Sequence, residues 1–538
     1  MRKIVNPFGQ TSGMAIGTLT SRITGIFRDI ALVAAIGTAI FADTYSVANS
    51  LPNIIYILIA GGAINAVFIP ALVRHMKDDA DGGQQFTDQL LSFIGLVLLV
   101  IVTLGVIFAG SLVGLYATDS WSAQDFKIAT LFAMWFIPQV FFYGVYTIAS
   151  QVLNARDVFV LPMFAPIINN VIVIITALAF LVISDQVPTT ETVSTSQIYL
   201  LGAGTTLGVI VQALILLPAL SKAGYRFNPT LNFRGSGLGK IADLAIWTIG
   251  FVIVNQVSFL ILSNLTTYAN VLARNENLVA NGFTSYQKAQ LMMMLPHSII
   301  TVSIVTALLP RLSKYAHDLD RESFNSELAS AMRTVVAFIV PLAAILFLAG
   351  NRIGQFLYGY GASTAEQGQA VGKVAAMFAI GLPAFSMFYV LLRSFYARED
   401  TKTPFLINVG FNLLHLTLGT FLFIRVDTEN KVAALAFAYS ISYIAVWLFT
   451  WRLVSRLDVD INTAKQTQHL VRVSVAVLIA SGISWALTQL LTRLTPENTL
   501  GVFLQLLTMA TTFFGIYYLT AKQMQVREVS NFKEIIKQ

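Results

Sequence analysis

Three charged side chains lie inside one long apolar stretch near the start of the chain. Arg22, Arg28 and Asp29 occur in Ser21-Arg22-Ile23-Thr24-Gly25-Ile26-Phe27-Arg28-Asp29. A charge at the centre of a bilayer costs about 2.5 to 3.5 kcal/mol on insertion scales, so three together must face a polar cavity or one another. On a helix, Arg22 and Asp29 return to nearly one face about 10 Å apart, while Arg28 is displaced by about 120° from Arg22. Arginine's planar fork of donors suits phosphate oxygens and keeps its charge when partly desolvated. Two arginines against one carboxylate leave surplus positive charge, as an anionic substrate requires. The competing reading pairs Arg28 with Asp29 or a carbonyl and lets Arg22 snorkel to an interface. Snorkelling is disfavoured for residues about ten and sixteen positions into a span.

The elements that position these charges are membrane helices. Of 538 residues, 56% are hydrophobic and only 11% charged, with a mean hydropathy of +0.71. The pattern predicts an all-α polytopic membrane protein with about fourteen transmembrane helices, from 12–38 and 44–73 through to 467–491 and 499–522. The longest polar connections hold about twenty residues, too few for a soluble domain. Segment 1 reads as a retained span and not a removed signal peptide. Loop Lys and Arg divide about 22 to six in favour of the side that holds both termini, which predicts N-in, C-in with both termini in the cytoplasm. That bias accounts for the net charge of +7 and adds anionic lipids as partners; nucleic acid is not expected. Cysteine is absent, which excludes disulfides and thiol nucleophiles. No phosphate-binding Gly-rich motif of the Walker type occurs, so no cofactor is expected and energy would come from a coupling ion or the membrane potential.

An internal repeat divides the chain. Ile69-Pro70-Ala71-Leu72-Val73-Arg74-His75 after helix 2 has a counterpart in Leu309-Pro310-Arg311-Leu312-Ser313-Lys314 after helix 8, and Asn154-Ala155-Arg156-Asp157 after helix 4 has one in Tyr396-Ala397-Arg398-Glu399-Asp400 after helix 10. An offset of six helices preserves orientation, so the halves read as parallel repeats: an N-lobe over 1–225 and a C-lobe over 226–460. Helices 13 and 14 over 461–522 are an appendage. Residues 523–538 suit a short amphipathic helix on the cytoplasmic surface.

Taken in order, these residues resemble the MurJ (MviN) lipid II flippases of the multidrug, oligosaccharidyl-lipid and polysaccharide exporter superfamily. The resemblance rests on Ser21-Arg22, Gly25 and Arg28-Asp29, then Ala42-Asp43, Leu51-Pro52-Asn53, Phe68-Ile69-Pro70 and Phe164-Ala165-Pro166. It continues through Leu308-Leu309-Pro310 and Tyr358-Gly359 to Phe395-Tyr396-Ala397-Arg398-Glu399-Asp400-Thr401-Lys402-Thr403-Pro404. It implies fourteen helices, two six-helix lobes around a V-shaped cavity, and a groove for a polyprenyl tail formed by helices 13 and 14. The implied substrate is lipid II, moved from the inner to the outer leaflet by alternating access, without enzyme chemistry. Arg22 and Arg28 match the family's cavity arginines, and Asp29, Asp43, Asn53 and Asn170 fall at other motif positions. The chain departs from the family pattern at Tyr56 and Ile57, at Gly61 and at Leu291, with Lys288 one turn away as a substitute point charge.

Other residues give weaker signals. Asn255, Gln256, Asn408 and Asn412 are sodium candidates by the resemblance, but without a mid-membrane carboxylate interhelical hydrogen bonding is the favoured use. None of the five histidines, His75, His297, His317, His415 and His469, has metal-ligand spacing, and His297 and His415 are expected to pack or hydrogen-bond within the membrane. Met292-Met293-Met294 is expected to pack. Asp43 is divided evenly between a gate and a cap for helix 2. The chain is expected to act as a monomer, with peptidoglycan synthesis machinery as a candidate partner. Competing functions are export of another polyprenyl-linked saccharide or a drug, a membrane-embedded polyprenyl-phosphate enzyme, or a non-transporting scaffold. A drug exporter favours carboxylates and aromatics, and an enzyme needs clustered carboxylates or a positioned base.

Overall fold

The computed structural model describes residues 7–63, 75, 79, 81, 83–156, 158–232, 242–456, 459, 462–496 and 498–530. The first repeat element over 69–74, Asp157, the limit at 460–461 and the tail residues from 531 onward lie outside the described residues. Helix is the only regular structure among those described. Long apolar runs force this outcome, since in lipid a backbone must satisfy its own hydrogen bonds.

The long helices are α1 (Pro7–Ile36), α2 (Ile40–Ala63), α3 (Gln84–Ile107), α4 (Ala123–Ala155), α5 (Val160–Ile183) and α6 (Thr195–Lys222). They continue with α7 (Ala242–Asn275), then α8 (Phe283–His317), α9 (Arg321–Tyr358), α10 (Ala365–Tyr396) and α11 (Lys402–Arg425). The last three are α12 (Lys431–Ser455), α13 (Thr463–Thr492) and α14 (Thr499–Gln523). Among the described residues, twelve helices are long and apolar enough to cross a membrane. They are α3 to α14. α1 carries three charged residues, Arg22, Arg28 and Asp29, and α2 the polar Asp43, Asn49 and Asn53.

Sequence chemistry sets the helix ends. Ser122 and Asp125 form a capping box at the start of α4, as do Ser194 and Gln197 at α6 and Thr364 and Gln367 at α10, each pairing two otherwise orphaned N–H groups. α8 is interrupted by a π-helical turn, His297–Thr301, immediately after Pro296, where proline removes a donor from the helical ladder.

The chain divides into two compact units. The first holds residues 1–271 with 361–363, and the second holds 272–360 with 364–538. The division therefore falls inside α7. Hydrogen bonds explain why the C-terminal half of α7 goes with the first unit. Ser263 Oγ donates to Tyr116 O at 2.7 Å, Thr118 N donates to Thr267 Oγ1 at 3.1 Å, and Asn270 Nδ2 donates to Asp43 Oδ2 at 2.7 Å.

In the first unit α1 lies along α5, α5 along α6, and α2 along the first half of α4. Phe41 and Tyr45 of α2 pack on Phe132 and Phe136 of α4, with ring centroids 5.2 to 6.0 Å apart. In the second unit α9 and α10 meet most extensively, for a reason visible in the sequence. Gly350 and Gly354 of α9 face Gly368 and Gly372 of α10, so two small-xxx-small stripes cross with almost no side chain between the backbones. A Cβ on Gly350 would sit 2.6 Å from Gly372 O, and one on Gly372 would collide with Gly350 O. α10 packs on α12, and α13 and α14 pair with each other and against α9.

Candidate anion-binding site

The charged stretch of α1 is organised by Asn170 of α5. This side chain is buried, and its amide is used on both sides. Nδ2 donates to Ser21 O at 3.0 Å and to Thr24 Oγ1 at 2.9 Å, while Oδ1 accepts from Arg28 Nη1 at 3.1 Å. Asn170 therefore joins two turns of α1 and fixes the direction of the guanidinium.

Asp29, 6% exposed at its side chain, stands 3.5 Å from Arg28 Nη2. That separation is longer than the 2.7 to 2.9 Å typical of a charge-assisted bond, so Asp29 leaves much of the guanidinium's capacity for other acceptors. The Arg28 side chain remains 33% exposed. A cation that is oriented on one edge by a neutral amide and still accessible is suited to receive an anion. Tyr45 and Tyr143 lie within electrostatic reach of Arg28, and Tyr45 OH is hydrogen-bonded to Thr205 Oγ1 at 2.8 Å. Gln139 Nε2 donates to Thr206 Oγ1 at 3.1 Å, extending this polar layer across α4 and α6.

The remaining candidates fall into different settings. Arg22 is half-buried on α1. Gly25 is not forced to be glycine, because a Cβ there would meet Asn170 Nδ2 at an ordinary 3.7 Å. Asn53 is exposed on α2, following Pro52. Asp43 lies in the first turn of α2, which starts earlier than expected, so it is not the residue ahead of that helix. Its fully buried carboxylate accepts from Asn270, whose amide also reaches Thr38 O at 3.3 Å.

Lys288 and Leu291 are half-buried on α8, in the second unit. Tyr56 donates to Thr147 Oγ1 at 2.6 Å and so ties α2 to α4. Asn255 Nδ2 returns to Phe251 O of its own helix at 2.7 Å, and Asn412 Nδ2 returns to Asn408 O at 2.9 Å. Among the described residues no cluster of three His, Cys, Asp or Glu side chains is placed to hold a metal. His297 Nδ1 is 3.0 Å from Ser386 Oγ between the rings of Phe385 and Tyr389. His415 lies against Phe411 and Tyr439. Met292 and Met293 are buried.

The tie of Asn170 to Ser21 O and Thr24, and the Tyr45, Gln139 and Thr205 layer, escaped the sequence. Asn169-Asn170 in the middle of an otherwise apolar α5 was the available signal, since an amide in a span needs an interhelical partner.

A family model described as "Lipid II flippase MurJ" matches residues 32–508. The chain belongs to the lipid II flippase MurJ family. The matched stretch begins four residues after Arg28, so the reading of Arg22 and Arg28 rests on their own geometry. Among curated MurJ relatives, the lipid II flippase of Burkholderia cenocepacia is 28% identical over 414 residues, 76% of each chain. The probable lipid II flippase of Thermotoga maritima is 28% identical over 452 residues, 84% of this chain and 86% of that one. A solved MurJ structure described as inward closed matches with a TM-score of 0.73 and 21% identity, covering 95% of this chain and 99% of that one. An inward-facing multidrug transporter of the MATE family matches with a TM-score of 0.63 and 13% identity over 81% of this chain and 95% of that one. Both likenesses are of fold alone.

Proposed function

We propose that the chain moves lipid II across the plasma membrane, from inner to outer leaflet, with the lipid's diphosphate recognised by Arg28 and Arg22. The observation that carries the site is the guanidinium of Arg28, oriented by Asn170 at 3.1 Å and one-third exposed. A diphosphate offers the bidentate oxygens that this fork binds, and a neutral orienting amide leaves the positive charge available. Asn53, exposed on α2, supplies a neutral donor for sugar or phosphate.

The polyprenyl tail is assigned to the α13 and α14 region. Its support is the row of outward apolar side chains on α13, among them Leu478, Ile483, Trp485 and Leu490. A 210 Å³ cleft also lies beside Trp447, Trp451 and Leu470. α1 and α2 are read as membrane helices too, giving fourteen spans with both termini inside. Their lengths of 30 and 24 residues exceed the roughly 20 that a bilayer needs. Transport proceeds by rocking of the two units between inward and outward states, driven by a coupling ion or the membrane potential.

Leaflet-resolved accessibility of lipid II in cells depleted of this protein tests the reading. Outward appearance should fall on depletion and recover with the wild-type chain but not with Arg28→Ala. Undiminished appearance, with no redundant flippase in the cell, would overturn it.

A further inference from the structure

Next to Arg28 the first unit presents a neutral face built by α2 and α4. No charged residue occurs between Thr44 and Ala63 or between Ile128 and Ala155. Gln139, Tyr143 and Thr147 are spaced four apart and share one side of α4, while Asn53 and Tyr56 are three apart and share one side of α2. The two helices meet where the Tyr56 and Tyr143 rings stand 5.8 Å apart at 66°, edge to face. Both rings are half-buried, and Tyr56 is backed by the apolar cluster that includes Leu90, Ile148 and Val152.

Both phenols have spent their protons inside the protein. Tyr143 OH donates to Gln139 Oε1 at 3.1 Å, Gln139 Nε2 donates in turn to Thr206 Oγ1 at 3.1 Å, and Thr206 Oγ1 ends the chain on Trp135 O at 2.7 Å. Tyr56 OH donates to Thr147 Oγ1 at 2.6 Å. Each phenol oxygen therefore keeps acceptor capacity and has no proton to give. A phosphate or carboxylate needs donors and gains nothing from them, whereas a ligand rich in hydroxyls finds two acceptors. Asn53, exposed one turn before Tyr56, adds an amide that both donates and accepts. The aromatic rings attract polarised C–H bonds through their negative faces, and their hydrogen bonds fix them before any ligand arrives. Neutral hydroxyl donors on a frame of C–H bonds are the chemistry of a pyranose.

We propose that Tyr56, Tyr143 and Asn53 form a saccharide subsite that takes the sugar joined directly to the diphosphate. This subsite deepens the diphosphate reading of Arg28 and rests on it. Tyr143 lies within electrostatic reach of that guanidinium. The sugar is separated from the phosphate by a single bridging oxygen, so a diphosphate held at Arg28 delivers its sugar to this face. Other parts of the substrate fit worse. A peptide carboxylate would meet two phenols without a proton to offer, and a hydrocarbon tail would cover the phenol oxygens and the Asn53 amide without satisfying them.

Equilibrium titration of the full chain in nanodiscs tests it, with undecaprenyl diphosphate and the same lipid bearing one N-acetylhexosamine as probes. The wild type should bind the sugar-bearing lipid about tenfold more tightly than the bare one, the sum of a ring contact and a hydrogen bond. Tyr143→Leu removes a ring and should cut that preference about threefold or more. Tyr143→Phe, which keeps the ring and drops the acceptor, should lose less. Asn53→Ala, at an exposed position, should lower the preference about two- to tenfold through the lost hydrogen bond, and it carries the test should Tyr143→Leu fail to fold in a thermal melt. Arg28→Ala should weaken both lipids. A wild type that binds the two lipids equally, or folded Tyr143→Leu and Asn53→Ala variants that keep the full preference, would overturn the saccharide subsite and leave the diphosphate site standing. A wild type that binds neither lipid would overturn both.

Discussion

The arrangement of Arg28 and Asn170 makes a prediction that separates an anion site from a structural ion pair. In Arg28→Ala the fork is removed, and with it a charge-assisted bond worth about 1.5 to 3 kcal/mol. Affinity for a polyprenyl diphosphate should therefore weaken about 10- to 150-fold. The fold should tolerate the change, because Asn170 keeps its donors on Ser21 O and Thr24 Oγ1 and the freed Oδ1 faces a site open enough to leave Arg28 33% exposed. Asn170→Asp is the sharper variant. It puts a carboxylate where the amide oxygen now lies 3.1 Å from Nη1, so an internal anion competes with the substrate. Partial exposure halves the nominal attraction, leaving about 1 to 2 kcal/mol against binding, roughly 5- to 30-fold. Asn170→Leu removes orientation without adding charge, and its penalty of about 0.5 to 1.5 kcal/mol predicts a two- to twelve-fold loss. Equilibrium titration of undecaprenyl diphosphate against purified protein in nanodiscs measures all three, with a thermal melt to confirm folding. A folded Arg28→Ala within two-fold of wild type, or an Asn170→Asp that binds as well as wild type, refutes the site.

Three further outcomes are expected. Gly372→Val drives a branched side chain into the backbone of α9 at Gly350, an overpacking cost of about 1 to 3 kcal/mol or more, so melting in detergent should fall by several degrees, whereas Gly95→Ala should not lower it. Asp43→Ala removes the buried acceptor of Asn270 and should destabilise the first unit by about 1 to 3 kcal/mol; denaturant unfolding followed by site-specific proteolysis in α7 would show no change if that bond were idle. Asp320 caps α9 by accepting from Ser323 N at 3.0 Å, and hydrogen bonds from the Ser323 side chain and then from its backbone hold the carboxyl below the ordinary value. A lowered acid pKa stabilises above the unfolded value of about 3.9 and is lost as pH falls through the folded one. The melting difference between wild type and Asp320→Ala should accordingly be full at pH 7, shrink below pH 4 and disappear in stronger acid.

Helix positions were legible in the sequence because apolar runs of twenty or more residues bounded by Ser, Thr or Asp caps have one physical solution in lipid. α1 stood out in the sequence for the opposite reason, its breach of that rule. Tertiary partners were not. Nothing in the periodicity of α5 says that Asn170 turns to α1, while its neighbour Asn169 turns to Gly208. The two pairs of glycines in α9 and α10 stood in the sequence at the spacing of a close crossing, but a GxxxG stripe does not name its partner until the helices are seen together. The path of residues 225–230 along α3 was hidden as well. Its polar and turn residues read as an ordinary loop, and its register depends on Asp88, a carboxylate within an apolar helix whose use only the bond from Tyr225 reveals.

The departures from the family pattern change what α1 must do. Tyr56 stands where the resemblance implies arginine, and its hydroxyl is committed to Thr147. α2 therefore contributes a tie between helices at that level in place of a cation. With fewer cations available, misalignment of the remaining ones is more costly, because each bidentate pairing with the anion is a larger share of the total. Fixing Arg28 through a buried amide, instead of through Asp29 at close range, meets both needs at once. The amide restricts the guanidinium without neutralising it, while Asp29 at 3.5 Å moderates the expense of holding that charge in the membrane when no substrate is bound. A tighter Asp29 pair would stabilise the empty protein and weaken the site, and a chain lacking the amide would keep the charge but lose its aim.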